Sequence, residues 1–315
     1  MEEKTFDLIT VGMALVDSII KGFDPEPISA SGYRAVSGSL NVGGEAVNEA
    51  IAAAKLGLNT GILCALGEDA AGDMVAQTLA QSGVCTDLIL RGADHPTPVT
   101  TMFVRDDGSR KSITNRAHRY NFHPERCSAP LAKTRAVILG SLFRAPFDDP
   151  EILFSVLQVC REHGVLVIAD TKLPNFRKLT PEDLKDSLPL IDWITPNEDE
   201  ARYFTGKSDP GEMAEVFLTY GVRNVIVKLG PKGCCFRNAE KGFLLPAYKI
   251  DAVDATGAGD NFAAGLAAEL LRGAEIEAAL RFATACGAIC TTSVGACTAL
   301  RSREQVLAFL QTQGD

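Results

Sequence analysis

The chain has 315 residues, of which 46% are hydrophobic and 23% charged, as is usual for a globular protein with a sizeable core. The formal net charge of -9 and the absence of a Lys- and Arg-rich run argue against nucleic-acid binding. No apolar stretch reaches the roughly 18 residues that a membrane span needs. We therefore expect neither a nucleic-acid partner nor a membrane partner.

Cysteine usage and the first residues indicate the cellular compartment. The nine cysteines are odd in number and irregularly spaced, which argues against a disulfide framework or a zinc site. The first residues, MEEKTFDLITVG, are charged and then strand-like, without the pattern of a secretory signal. We therefore expect reduced thiols and a cytoplasmic protein.

Apolar runs alternate with helical patterns along most of the chain. The predicted strands are 6–12, 59–65, 136–140, 165–170, 193–195 and 225–230, with further strand character around 242–250. The predicted helices are 44–57, 69–83, 149–163, 258–272 and 275–290. Strands that are apolar throughout and alternate with helices indicate an α/β fold with a parallel sheet covered on both faces.

Two segments depart from this alternation. Residues 15–40 lack helical spacing, and residues 97–115 predict a hairpin with its turn at Asp106-Asp107-Gly108. Such strands predict a small sheet set apart from the main one. From the pattern alone, this sheet is a lid over a site, an edge extension or a dimer contact.

A phosphate-binding turn is predicted where the glycine-rich residues 256–259 lead into an apolar helix. The first N–H groups of a helix have no intrahelical partner, and glycines allow close approach of a ligand, so 257–259 can form an anion hole. Asp260 is predicted at the mouth of this turn, where it can take a proton from an attacking hydroxyl. The alternative is an ordinary helix start capped by Asp. The P-loop motif is absent, and Phe262 replaces the third glycine of a dinucleotide fingerprint.

Four ordered motifs carry a family resemblance across essentially the whole chain. They are GGEAVNEA from Gly43, NEDE from Asn197, KLGPKG from Lys228 and DATGAGDNFAAG from Asp254. Together they resemble the ribokinase-like (PfkB) carbohydrate kinases. The resemblance implies a three-layer α/β sandwich with a mostly parallel central sheet, forming one domain over 1–315. It also implies a small β-sheet lid formed by about 15–40 and 97–115.

The resemblance also implies an ATP-dependent kinase that phosphorylates a hydroxyl of a sugar or sugar acid. The catalytic residues it implies are Asp260 as general base and the turn Gly257, Ala258 and Gly259. The substrate-binding residues it implies are Asp17, Gly43, Gly44 and Asn48.

For the nucleotide, the resemblance implies ATP contacts from Asn197, Lys228, Gly230, Gly233 and Thr284. Glu200 would hold Mg²⁺ through water, although Asn197 and Glu200 by themselves also fit an exposed acidic helix start. Lys228 stands where the family commonly has Thr, and its side chain is expected to reach phosphate or solvent. A candidate K⁺ site comprises Asp254, Thr256, Ser293 and Gly295.

The acceptor remains open between ribose, fructose and 2-keto-3-deoxygluconate types. A sugar acid would be favoured by arginines near the site, the candidates being Arg105, Arg110, Arg116, Arg119 and Arg177. A nucleoside kinase would need a base-stacking pocket, to which Tyr33, Phe103, Tyr120 and Phe122 could contribute. The other alternative is a catalytically inactive sugar-binding protein, and a homodimer through the lid is a further expectation.

Overall fold

The computed structural model describes residues 4–22, 34–107, 109–115 and 124–313. Its main sheet has eight strands in the order β14-β13-β12-β11-β10-β9-β1-β4. The bounds are β1 Phe6–Val11, β4 Thr60–Leu63, β9 Thr134–Leu142, β10 Leu166–Thr171, β11 Trp193–Ile194, β12 Asn224–Lys228, β13 Cys234–Asn238 and β14 Gly242–Leu245. Strands β4 to β12 in this order pair in parallel, and β13 and β14 add antiparallel edge strands. The predicted mostly parallel sheet is confirmed.

Helices cover both faces of this sheet. Their bounds are α1 Glu45–Lys55, α2 Ala70–Gln81, α3 Ser128–Ala132, α4 Pro150–Glu162, α5 Glu198–Thr205, α6 Pro210–Thr219, α7 Ala258–Leu271, α8 Ile276–Cys290 and α9 Arg303–Thr312. Successive side chains of a strand point to opposite faces, so Ile9 packs in the core beside α4 and α6, whereas Leu8 packs beside α1 and α7. The three-layer sandwich is therefore confirmed.

A second sheet of four strands stands apart, in the order β3-β2-β7-β8. The bounds are β2 Leu15–Lys21, β3 Ser37–Gly43, β7 Val99–Val104 and β8 Arg110–Thr114. Strand β3 continues past the predicted limit at residue 40 and so leads directly into the double glycine. Residues 23–33 of the predicted lid, and Gly108 of the predicted turn, lie outside the described residues.

The pattern failed at three places in the main fold. The apolar run 59–65 is two strands, because β4 pairs with β1 whereas β5 (Ala65–Gly67) pairs with β6 (Leu90–Gly92) in a small separate sheet. The strand predicted around 242–250 ends at Leu245, before Pro246. The sequence pattern also gave no separate prediction of β13, α6 or α9. Within the described ranges, no helix is long and apolar enough to cross a bilayer.

Candidate active site

The predicted site residues gather at the carboxyl edge of the parallel strands. Asp170 and Thr171 end β10, Lys228 ends β12, and α1 and α7 both begin at this edge. In open α/β sheets this edge is where ligands bind. The fold therefore brings the motifs together although they are up to about 200 residues apart in sequence.

Helix α7 begins without a side-chain cap. Gly257 precedes it in a left-handed conformation (φ 79°), and a β-carbon there would collide with Ala296. The N–H of Ala258 donates to the carbonyl of Ala255 at 3.2 Å, whereas none of the described hydrogen bonds uses the N–H of Gly257 or Gly259. Two of the three predicted anion-hole donors are thus open to a ligand. The alternative of a helix capped by the Asp260 side chain is wrong, since α7 has no side-chain cap bond.

Asp260 is more deeply placed than the sequence predicted. Its side chain was expected at the mouth of the turn, but the residue is 7% exposed because Asn48 of α1 packs against it. The Nδ2 of Asn48 donates to Oδ2 of Asp260 at 2.7 Å. Burial and the charge of Glu45 raise the pKa of Asp260 to about 7, and the cation of Lys172 acts in the opposite direction. Asp260 is thus a carboxyl that can exchange a proton near neutral pH.

Helix α1 also begins at a glycine. Gly44 has φ 104°, and a β-carbon there would collide with the carbonyl of Met13. Asp17 lies against the neighbouring glycine, because a β-carbon at Gly43 would be 2.6 Å from its Oδ2. Burial, followed by the charge of Glu45, raises the pKa of Asp17 to about 6. The predicted acceptor-binding residues therefore meet at the start of α1.

Two lysines project into this region, and the sequence gave a role to only one of them. Lys172, directly after β10, forms an ion pair with Glu45 at 3.1 Å. Burial lowers the pKa of Lys172, but the charges of Glu45 and Asp260 outweigh that effect and raise it. The available signal was its position after a strand that ends at this edge.

Lys228 is directed at the anion hole rather than at solvent. Its Nζ lies 2.6 Å from Oδ1 of Asp170, which also accepts a hydrogen bond from Thr195 at 2.6 Å. A β-carbon at Gly259 would be 3.0 Å from the same Nζ. The ammonium group is therefore next to the open N–H groups of the turn, where it adds positive charge.

Asn197 and Glu200 form a capping box at the start of α5. The side chain of Asn197 accepts from the N–H of Glu200 at 2.9 Å, and Oε2 of Glu200 accepts from the N–H of Asn197 at 3.0 Å. The same Oε2 accepts from Thr171 at 2.8 Å. Glu200 is 5% exposed, and burial followed by the charge of Asp170 raises its pKa. The alternative of an exposed acidic helix start is therefore wrong for Glu200.

The remaining predicted nucleotide residues border the β12–β13 connection. Gly230 begins a 3-10 turn and Gly233 follows it, immediately before β13. Thr284 of α8 is 8% exposed, and its hydroxyl donates to the carbonyl of Leu280 at 2.8 Å. The same hydroxyl hydrogen-bonds with the thiol of Cys234. Thr284 is therefore next to this loop, but its hydroxyl proton is used within its own helix.

The candidate K⁺ residues come from two loops joined by one carboxylate. Oδ1 of Asp254 accepts from the N–H of Thr256 at 3.0 Å and from its hydroxyl at 2.7 Å. Oδ2 accepts from the N–H of Gly295 at 3.0 Å, in the loop that also contains Ser293. These bonds hold the loop before the anion hole against the loop after α8.

The residues considered for acceptor specificity contribute less than expected. Arg177 donates to the carbonyl of Asp148 and pairs with Asp149 at 3.2 Å. Phe103 pairs with Ile20 across the lid sheet and therefore points to the face opposite Asp17, three residues away on the same strand. Five of the predicted candidates, Tyr33, Arg116, Arg119, Tyr120 and Phe122, lie outside the described residues.

Comparison with known families decides what kind of protein carries this site. The model of the pfkB family carbohydrate kinases matches residues 9–303. The chain belongs to this family. It is accordingly a carbohydrate kinase, and both the fold and the family predicted from the four motifs are confirmed.

The most similar proteins agree with this assignment. A ribokinase of Arabidopsis thaliana is 31% identical over 320 residues, covering 96% of this chain and 81% of that protein. The structure of Arabidopsis thaliana ribokinase complexed with ribose and ATP has a TM-score of 0.85 at 28% identity, with coverage of 97% and 99%. A putative ribokinase II from E. coli in complex with ATP and Mg²⁺ has a TM-score of 0.78 at 25% identity, with coverage of 97% and 99%. Other relatives are a probable fructokinase and a deoxyribokinase, so the family relationship alone leaves the sugar open.

Proposed function

We propose that this carbohydrate kinase transfers the γ-phosphoryl group of ATP to a hydroxyl of a sugar or sugar acid, with Asp260 as the general base. The acceptor would be of the ribose, fructose or 2-keto-3-deoxygluconate type. The observation that carries the proposal is the position of Asp260 in the first turn of α7, held by Asn48 beside the open N–H groups of Gly257 and Gly259. A proton acceptor and an anion hole are then one turn of backbone apart.

The proposed reaction is an in-line displacement. The bond between acceptor oxygen and phosphorus forms, the bond to the ADP oxygen breaks, and the hydroxyl proton moves to Asp260. Such a transition state is loose, so the protein acts chiefly by positioning groups and stabilising charge. The N–H groups of Gly257 and Gly259 and the ammonium of Lys228 would stabilise the phosphoryl oxygens; Ala258 would contribute less, because its N–H is already bonded.

We assign the nucleotide side to the edge between β12 and α5. Relatives whose structures hold ATP, or ATP with Mg²⁺, support both as cofactors. Asn197, Gly230, Gly233 and Thr284 would border ATP. The carboxylate of Glu200 has one oxygen outside its capping bonds, which suits a water-mediated contact to Mg²⁺. Mg²⁺ would neutralise phosphate charge.

A monovalent cation is the least demanding part of the assignment. The loops of Asp254, Thr256, Ser293 and Gly295 are joined by hydrogen bonds and offer backbone carbonyls. We propose K⁺ as the ion that would steady the loop before Gly257. Its replacement by Na⁺ would then lower kcat without changing the fold.

The acceptor would bind at the start of α1. Asp17 has a carboxylate with no described hydrogen-bond partner, which suits a pair of sugar hydroxyls. The backbone at Gly43 and Gly44 allows close approach, and Asn48 would hold both the acceptor and Asp260. A polyhydroxylated ligand fits these groups better than an apolar one.

We propose that the four-stranded sheet, from about 15–40 and 97–115, is a lid of the single domain 1–315 and also a homodimer contact. Leu40 and Ile113 lie in one row across the sheet, on the face opposite Asp17, and are 61% and 67% exposed. Exposed apolar residues on one face favour a protein contact. Light scattering of the Leu40→Ser/Ile113→Ser variant should report a lower mass than wild type, if the contact exists.

An ADP-forming assay with a panel of acceptors tests the function. The panel contains ribose, fructose, 2-keto-3-deoxygluconate and nucleosides, each with ATP and Mg²⁺ and with a no-acceptor control. We expect acceptor-dependent ADP formation with at least one sugar or sugar acid. ADP formation with nucleosides alone would contradict the proposed acceptor class.

A further inference from the structure

A third carboxyl group lies behind Asp260 on α1. Glu49 follows Asn48 in sequence, is 0% exposed, and neither of its carboxyl oxygens has a hydrogen-bond partner among the described residues. Oxygens of Glu49, Asp170 and Asp260 all lie within 4.8 Å of one another. Glu49 also lies against β9, because a β-carbon at Gly140 would be 2.9 Å from its Oε2. A group this buried and this close to the proposed base requires a role.

An ionised carboxylate at this position would be very costly. A fully buried charge without hydrogen bonds is normally neutralised rather than tolerated. The two nearby lysines are engaged elsewhere, since Lys228 pairs with Asp170 and Lys172 with Glu45. The charged groups that act on Glu49 are Asp260, Asp170, Glu45 and Lys228, and three of these four are acidic. The surroundings therefore favour a proton on Glu49.

A divalent cation among the three carboxyls would also neutralise them. It would, however, occupy the oxygen of Asp260 that Asn48 leaves open, which is the atom that must receive the proton from the acceptor. Lys228 already contributes a positive charge 2.6 Å from Asp170. A proton satisfies the same charge balance and leaves the base available.

We propose that Glu49 is a neutral carboxylic acid that positions Asp260 by donating its O–H to the Asp260 carboxylate, directly or through one water. This rests on the proposed role of Asp260 as base. Rotation of the Glu49 side chain closes the present gap, and Asp260 is then held from two sides, by Asn48 at Oδ2 and by Glu49. Glu49 gains and loses no proton during phosphoryl transfer.

The protonation state can be measured without any substrate. Infrared difference spectra of the full chain at pH 8 should contain the carbonyl stretch of a buried carboxylic acid, absent in Glu49→Gln and retained in Asp260→Asn. Glu212→Gln, which changes an exposed glutamate in the first turn of α6, is the matched control and should leave the band unchanged. Absence of a band that Glu49→Gln removes would overturn the proposal.

The pH profile of kcat/KM then tests whether Glu49 acts through Asp260. The groups facing Asp260 from α1 and from the end of β10 are Glu45, Asn48, Lys172 and Asp170. Glu49→Gln keeps a donor of the same shape, so the acidic midpoint should stay within about 0.3 pH units. Glu49→Leu removes the donor, so the midpoint should rise by about one unit and kcat should fall about 10-fold.

The opposite sign identifies the competing explanations. If Glu49 were ionised, both variants would remove a negative charge, and both midpoints would fall. If the three carboxyls held a cation, Mn²⁺ alone would raise the Tm of the wild-type protein but not that of Glu49→Gln. Either result overturns the proposal while leaving the Asp260→Asn experiment intact, so the two failures are distinguishable. Should Glu49→Leu not fold, the Glu49→Gln and infrared results decide the question.

Discussion

The helices that meet at the active site begin differently from most of those elsewhere. Helices α1 and α7 follow Gly44 and Gly257 at positive φ and have no side-chain cap. Four helices of ordinary length outside the site have side-chain caps, from Asp69, Asp149, Asp209 and Ser302. A cap satisfies N–H groups that would otherwise seek a partner. Omitting it at the site leaves those N–H groups for a ligand, at a cost of about 1 kcal/mol per helix.

Helix α5 lies between these two extremes. It has a full capping box, yet the same two residues, Asn197 and Glu200, form the motif assigned to the nucleotide. Its cap fixes the glutamate so that one oxygen is bonded and the other is left over. The comparison teaches that the site uses helix starts in two ways: as open anion donors and as rigid holders of a carboxylate.

The largest effect should come from closing the start of α7. Gly257→Ala forces an alanine to φ 79° and into Ala296, so the turn must move. We expect kcat to fall about 10²-fold, as for loss of one anion-hole donor. Gly273→Ala is the matched control, because it has φ 78° at the other end of the same helix with no atom within 4 Å. Equal kcat for both variants would show that the α7 start has no catalytic part.

Removing the cation beside the anion hole should be nearly as damaging. Lys228→Met leaves the Asp170 carboxylate, 4% exposed, without its ion-pair partner. We expect a loss of about 3–5 kcal/mol of unfolding free energy and about 10-fold weaker ATP binding. Adding Asp170→Asn should restore much of the stability but not the ATP affinity. Calorimetry on both variants checks this, and restored affinity in the double variant would argue against phosphate contact.

The start of α1 should control the pH response of α7. With the pKa of Asp260 at about 7, kcat/KM should fall about 10-fold per pH unit below that value, because the protonated base cannot accept a proton. Glu45→Gln removes a charge that raises this pKa and should move the acidic limb down. Lys172→Met removes a charge that lowers it and should move the limb up. Shifts of the same sign in both variants would contradict the assignment of this limb to Asp260.

The smallest effect should come from a capped helix. Asp209→Ala removes the bond from the Asp209 side chain to the N–H of Glu212 at the start of α6. We expect a loss of about 1 kcal/mol of unfolding free energy, measured by denaturant titration, and an unchanged kcat. A change in kcat larger than about twofold would break the division between capped and open helix starts.

The sequence predicted most of the layered fold because long apolar strands and amphipathic helices carry clear periodicity. It could not predict that 59–65 divides between two sheets, since the apolar run is continuous there. The motifs gave the glycines and Asp260 by resemblance. The pairing of Lys172 with Glu45 and the burial of Glu49 depend on which strand ends and helix turns become neighbours, and spacing along the chain does not encode that.

Turnover by Asp260→Asn, measured beside Asp73→Asn, tests the central claim most directly. Asp73 is an exposed first-turn carboxylate of α2, so its variant makes the same chemical change away from the site. We predict that Asp260→Asn binds ATP with near-normal affinity while its kcat falls by roughly 10²–10⁴-fold, and that Asp73→Asn is unaffected. An Asp260→Asn enzyme that phosphorylates its acceptor at a rate close to wild type would contradict the account.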